Sequence, residues 1–199
     1  MALLLTDALR DEYQRLFNTC EVRPEKLGEV RSLAAKIIQN RKRYEAVGQP
    51  LSIPWQFIGI IHNMESSQRF DQHLHNGDPL TARTVHVPAG RPVSGQPPFT
   101  WEESATDAMT LEGLDNVIEW NLPTMLYQME KYNGFGYRTR HPEVLSPYLW
   151  SGSNHYTKGK FVQDGVFDPD AVSMQDGGAV ILQILMPTFE MHESAGHSR

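Results

Sequence analysis

The chain has 199 residues, 40% hydrophobic and 21% charged, the balance of one ordinary globular domain, or one with an embellishment, that buries a sizeable core. A net charge of −6 argues against a nucleic-acid binder, and its Lys and Arg residues are scattered rather than gathered in a stripe. A single cysteine, Cys20, excludes an intrachain disulfide and a cysteine-rich metal site, and no apolar run reaches the roughly 20 residues of a membrane span.

The opening MALLLTDALRDE has no basic n-region, so it reads as lacking a secretory signal. From Thr6 as cap, Leu9, Tyr13, Leu16, Phe17 and Cys20 recur at helical spacing. Pro24 opens a second helix whose stripe runs from Leu27 to Tyr44, with Gly48 expected to end it. These form an N-terminal helical pair, residues 1–50, expected to pack on a main domain of residues 51–188.

Ser52 and Pro54 open a third helix, on which Trp55, Ile58, Ile61 and Glu65 share one face. A carboxylate on an apolar face is costly to ionise, and desolvation raises its pKa toward the range a general acid needs. Glu65 is therefore the candidate acid, against the plainer reading of an exposed helix end. Beyond Phe70 the helical period is lost. Asn76-Gly77 signals a tight turn, and Thr81, Thr84, Val85 and Val87 favour extended backbone, which predicts a short β-hairpin or an irregular loop with a strand. Residues 87–98 hold four prolines and read as a surface loop, long enough to serve as a rim or lid.

Thr100 and Glu103 make a capping box for a helix to Leu111, followed by a helix or turn over Asp115 to Trp120. Asn121 caps another helix, closed by Gly134. The segment 132–161 is rich in aromatics, Gly, Ser and Asn, as a sugar-binding cleft is, because pyranose faces are apolar and their rims polar. Tyr132, Asn133, Tyr137, Trp150 and Tyr156 are the candidate sugar contacts, with Asn76 and His75 beside the acid. An aromatic packing corner is the equal alternative. Asp168-Pro169 predicts a short helix, GGAVILQILMPTF a buried helix ending near Pro187, and residues 189–199 a disordered tail. His62, His73, His75 and His86 lack HExxH-type spacing, so neither metal nor cofactor is expected, and no serine sits in a nucleophile elbow.

Five stretches, PWQFIGIIHNMESS, LHNGDPLTARTVHVPAGRP, PPFTWEESATDAM, YNGFGYR and SPYLWSGSNHYTKGKF, together resemble the lysozyme-like superfamily. More narrowly the chain is similar to the bacterial and phage-associated lysozyme family proteins, related to peptidoglycan-degrading endolysins. The resemblance implies a mainly α (α+β lysozyme-like) fold, a helical bundle around a substrate cleft with one small β-hairpin. It places the catalytic glutamate at Glu65, at a helix end before the hairpin. Phage-type lysozymes separate an aspartate and a threonine by five residues, as Asp78 and Thr84 are separated here; the twelve residues between Glu65 and Asp78 exceed the family's spacing and leave Asp71 as a competitor.

The implied function is hydrolysis of β-1,4 bonds in peptidoglycan glycan strands, with Asp78 and Thr84 positioning a water opposite Glu65. A lytic transglycosylase, which needs only the glutamate, and a chitinase-like enzyme are the alternatives on the same fold. A non-catalytic glycan-binding or structural module of a phage tail or injection apparatus is the alternative outside enzymes. The expected partner is peptidoglycan or a related N-acetylated glycan, with no nucleic acid and no membrane insertion. Synthesis in the cytoplasm followed by action on the wall requires delivery by a holin, tail or secretion apparatus. Because the net charge is acidic, Arg83, Arg138, Lys158 and Lys160 are expected to matter locally for approach to an anionic wall.

Overall fold

A computed structural model describes residues 3–186; the expected tail and the helix end near Pro187 lie outside the described residues. In chain order the helices are α1 (Asp7–Asn18), α2 (Leu27–Gln39), α3 (Arg41–Leu51), α4 (Trp55–Ser66), α5 (Trp101–Leu111), α6 (Leu122–Asn133), α7 (Gly136–Arg140) and α8 (Pro147–Trp150). Strands β1 (Lys160–Gln163) and β2 (Val166–Asp168) follow, and then a helical run over 178–186. The protein is thus mainly helical with one small two-stranded antiparallel sheet. The chain divides into two compact units, one of Met1–Ala34 with Asn121–Arg199 and one of Ala35–Trp120, with the boundary inside α2.

In the first unit α1 begins where expected, Thr6 Oγ1 accepting from the Leu9 amide at 3.3 Å. Its face of Leu9, Tyr13, Leu16 and Phe17 is buried and α1 packs on α6. Across that contact the Tyr13 hydroxyl donates to Glu130 Oε2 at 2.5 Å, and Arg138 reaches both Glu130 (2.8 Å) and Glu12 (2.8 Å). Burial raises the Glu130 carboxyl above its ordinary range, and the Arg138 cation opposes that rise. The β1–β2 hairpin turns at Asp164-Gly165, with Gly165 at φ +71°, the left-handed region a tight turn asks of a glycine. Phe161 lies opposite Phe167 across it.

The small hairpin is therefore not at Asn76-Gly77. That turn does form, Gly77 standing at φ +79°, but it closes only an isolated bridge between Gln72 and Pro79. A ladder cannot extend because Pro79 has no amide to donate and the Val85 and His86 amides are drawn to the Asp78 side chain. Asp168-Pro169 likewise starts no helix: Asp168 ends β2, and its Oδ1 accepts from the Asp170 and Ala171 amides in a turn that goes no further.

In the second unit the expected single helix from Pro24 to Gly48 is two. It breaks at Asn40, whose side-chain amide donates to the Lys36 carbonyl at 2.9 Å, a local bond that competes with helix continuation. Gly48 is inside α3 rather than at its end, because a Cβ there would stand 2.3 Å from the Ile53 carbonyl oxygen. The helix stops instead at Ser52, in the left-handed region at φ +57°. Helix α4 packs against α3, and Gly59 allows a close approach to both preceding helices, since a Cβ there would lie 2.5 Å from Ile37 Cγ2 of α2 and 3.3 Å from the Tyr44 ring of α3. Capping of α5 follows the expected box, with Thr100 and Glu103 bonding reciprocally. No helix among the described residues is long and apolar enough to cross a membrane.

Candidate functional site

Helix α4 is buried from Trp55 through Met64 and again at Ser66, and Glu65 is its one exposed residue. It is buried on every side, its polar Gln56, His62 and Asn63 included, so no stripe faces water; the helix is core and only its last turn meets solvent. The dry surroundings expected for Glu65 from helical periodicity are absent at its own side chain. What the fold supplies is rigidity. The Ser67 amide donates to Asn63 O (3.1 Å) and the Gln68 amide to His62 O (3.2 Å), which satisfies two carbonyls at the helix end, and Ser67 and Gln68 both adopt positive φ, +52° and +60°. Two successive non-glycine residues in this region cost roughly 1–2 kcal/mol each. Strain of this kind collects at functional sites, where packing over-determines the backbone.

That packing includes His62. Its Nε2 faces the Arg69 carbonyl (3.0 Å) and its Nδ1 the Tyr44 hydroxyl (3.1 Å), which assigns a neutral imidazole donating from Nε2 and accepting at Nδ1. Phe70 and Trp101 pack on the ring, and burial lowers its pKa from the usual value to about 4. The turn carrying Glu65 is thereby tied into the core.

Asp78 organises the loop that follows. Its Oδ2 accepts from the Val85 amide (2.8 Å), the His86 amide (3.1 Å) and Asn76 Nδ2 (3.2 Å), and its Oδ1 accepts from His86 Nδ1 (2.6 Å). The His86 imidazole first, and then the backbone amides, hold the carboxyl well below the usual carboxylate range. Asn76 is spent on the same knot, donating also to the His86 carbonyl. Thr84 is 3% exposed; its hydroxyl donates to the Pro88 carbonyl at 2.5 Å and accepts from the Arg91 amide at 2.9 Å. Both its donor and one lone pair are used inside the loop. Asp71, the competing carboxylate, is exposed and forked to Arg69 at 2.8 and 3.2 Å.

His75 is not a surface contact: its side chain is 1% exposed, with Nε2 on Asp107 Oδ2 at 2.7 Å. The same Asp107 oxygen accepts from Arg91 Nε at 2.7 Å, so the loop containing Thr84 is pinned to α5. His73 donates to the Ala82 carbonyl and accepts from the Ser104 hydroxyl, each at 2.8 Å. These histidines fasten loop to helix, and among the described residues no group of three or more His, Cys, Asp or Glu could hold a metal ion.

The first unit holds a cleft of about 380 Å³, within the range of small-ligand sites. Asn133 and Tyr137 line it, as expected for two of the sugar contacts. The Tyr137 hydroxyl accepts from the Phe161 amide at 3.1 Å and its ring meets Phe161 edge-on at 5.0 Å, so the 133–137 turn and β1 form two fastened walls. Trp150, 1% exposed, belongs to the interior and offers no stacking face. Tyr156 is buried too: its hydroxyl donates to the Gly159 carbonyl and accepts from the Ser173 amide, which sets the wall at Ser173 and Gln175. Tyr132 is half-buried and not part of the lining. The sequence reading missed Arg140 and Gln163, which line the cleft beside Lys160; the Asp164-Gly165 turn signal was the clue that residues 160–168 fold back as a hairpin. Of the cations expected to act locally, Arg138 and Lys158 are ion-paired and Arg83 is bonded to the Gly95 carbonyl.

Comparison of the chain with protein-family models, with curated proteins and with solved structures finds no match in any of the three.

Proposed function

We propose that the protein cleaves β-1,4 glycosidic bonds in the N-acetylated glycan strands of peptidoglycan, with Glu65 as the acid that protonates the leaving oxygen. The observation that carries this reading is the placement of Glu65: the single exposed residue of a buried helix, in a strained and rigidly closed last turn. The partial negative charge at the C-terminal end of a helix does not itself favour a carboxylate there. A reacting group on a rigid element, backed by a packed histidine, is what positioning for chemistry requires. The lysozyme-like resemblance of the surrounding stretches supplies the reaction class, and the cleft of the first unit supports a saccharide ligand.

In the hydrolytic form of the reaction Glu65 donates its proton to the departing oxygen, and an Asp78-held water attacks the sugar carbon from the other face. The Thr84 hydroxyl is committed to Pro88 and Arg91, and three donors occupy Asp78 Oδ2. This favours the second reading, a lytic transglycosylase. There the substrate's own C6 hydroxyl attacks C1 as the C1–O4 bond breaks, Glu65 giving one proton to O4 and recovering one from O6. The product is a 1,6-anhydro sugar and no water is consumed.

Glu65→Gln, an exposed substitution, is expected to leave the circular dichroism spectrum unchanged and to lower the clearing of purified cell walls by at least about 100-fold, the scale of one general acid. Mass spectrometry of the wild-type products separates the two reactions by the mass of one water. A wild-type protein that clears no wall type would instead leave a glycan-binding module.

A further inference from the structure

The lining of the first unit's cleft is unlike the rest of this acidic chain. Arg140 and Lys160 both face it, and Asp164, at the exposed hairpin tip, is the single acidic residue among those lining it. Neighbouring cations are neutralised: Arg138, half-buried, is paired with Glu130 and Glu12, and Lys158 pairs with Asp170 at 2.5 Å. The side chains of Arg140 and Lys160 have no acidic partner among the described residues. Two cations without an acidic partner line one concave site in a protein of net charge −6. Phe161 adds an apolar face and Asn133 and Gln163 add amide edges, the groups that meet a pyranose ring and its N-acetyl substituent.

We infer that this cleft binds a sugar ring carrying a free carboxylate, with the ring against Phe161 and the carboxylate between Arg140 and Lys160. The choice of sugar rests on the glycan-cleaving reading; the preference for an anion rests on the lining alone. On peptidoglycan the ring is N-acetylmuramic acid. In an intact wall its lactyl carboxylate is tied up as an amide to the stem peptide and carries no charge. The substrate strand selected by this cleft is one from which the peptide has been removed, so an amide-hydrolysing reaction must precede it.

Titration calorimetry of the full chain tests this with four probes: N-acetylmuramic acid, its neutral methylamide, N-acetylglucosamine, and sodium acetate. N-acetylmuramic acid is expected to bind about tenfold more tightly than either neutral sugar, the scale of one charge-assisted contact. That margin should vanish in Arg140→Gln/Lys160→Gln and return in part in Lys160→Arg, with near-ultraviolet circular dichroism reporting that the variants fold. Equal binding of the three sugars overturns the proposal, as does acetate matching N-acetylmuramic acid, which would make the site a bare anion trap. Binding does not require Glu65. A selective cleft in a protein that clears no wall sinks the catalytic reading and keeps this one; an unselective cleft in an active enzyme does the reverse.

Discussion

Thr84 shows how a residue chosen for chemistry is claimed by architecture. Its buried hydroxyl joins the Pro88 carbonyl to the Arg91 amide within a part-buried turn, so removing it takes a partner from two polar groups. Thr84→Val is expected to cost about 1–3 kcal/mol of stability, read in denaturant unfolding, while turnover per folded molecule stays near wild type. A loss of turnover at unchanged stability would restore it as a water-holder. His62 makes the opposite point, a titratable group whose value lies in staying neutral. With a folded pKa of about 4 against an ordinary 6.5, the unfolded chain binds this proton first as pH falls. The stability His62 contributes is therefore complete above about 6.5 and is lost between there and about 4, amounting to about 3 kcal/mol. Glu130 and Asp176, raised by burial, act in the contrary sense, so the effect is read as the difference between wild type and His62→Gln. That difference should shrink as pH drops through the window; a pH-independent difference would mean His62 is not buried neutral.

Among the elements, α3 and α4 depend on glycines placed for contact. The sequence presents Gly48 as a stop signal, but its absent side chain is what lets the Ile53 carbonyl come close. Gly48→Ala gains helix propensity of about 1 kcal/mol and meets an oxygen at 2.3 Å that belongs to backbone and cannot swing away. The clash should win, with a net loss of about 1–3 kcal/mol in thermal unfolding; a stabilised variant would return Gly48 to the role of helix terminator. The capping residues Thr6, Thr100 and Asn121 were legible because a cap and its amide lie two or three positions apart. The hairpin was misplaced because Asn76-Gly77 is a good turn in a segment that cannot build a ladder. Asp164-Gly165, between Phe161 and Phe167, has partners on both sides.

At the scale of the whole molecule, the proposed function makes net charge a determinant of the approach to the wall. A chain of net −6 and an anionic wall repel, over about 30 Å at 10 mM salt and about 10 Å at 100 mM. The initial rate of wall clearing should therefore rise severalfold between these concentrations. A monotonic fall would show that local cations such as Arg140 and Lys160 outweigh the net charge.

The sequence by itself determined the mainly helical class, most helix starts, the buried apolar third helix and the candidacy of Glu65 at its end. Each of these rests on spacings within a turn or two of chain. Only the tertiary structure decided that Glu65 is exposed, that Trp150, Tyr156, His75 and Thr84 are turned inward, and that Arg140 and Lys160 share one cleft. Burial and hydrogen-bond partners are set by residues far apart in sequence: Ser173 against Tyr156, Asp107 against His75, Phe161 against Tyr137. An aromatic built to stack on a sugar and one built to fill a core look the same along the chain, because what separates them is which groups the fold brings to the ring.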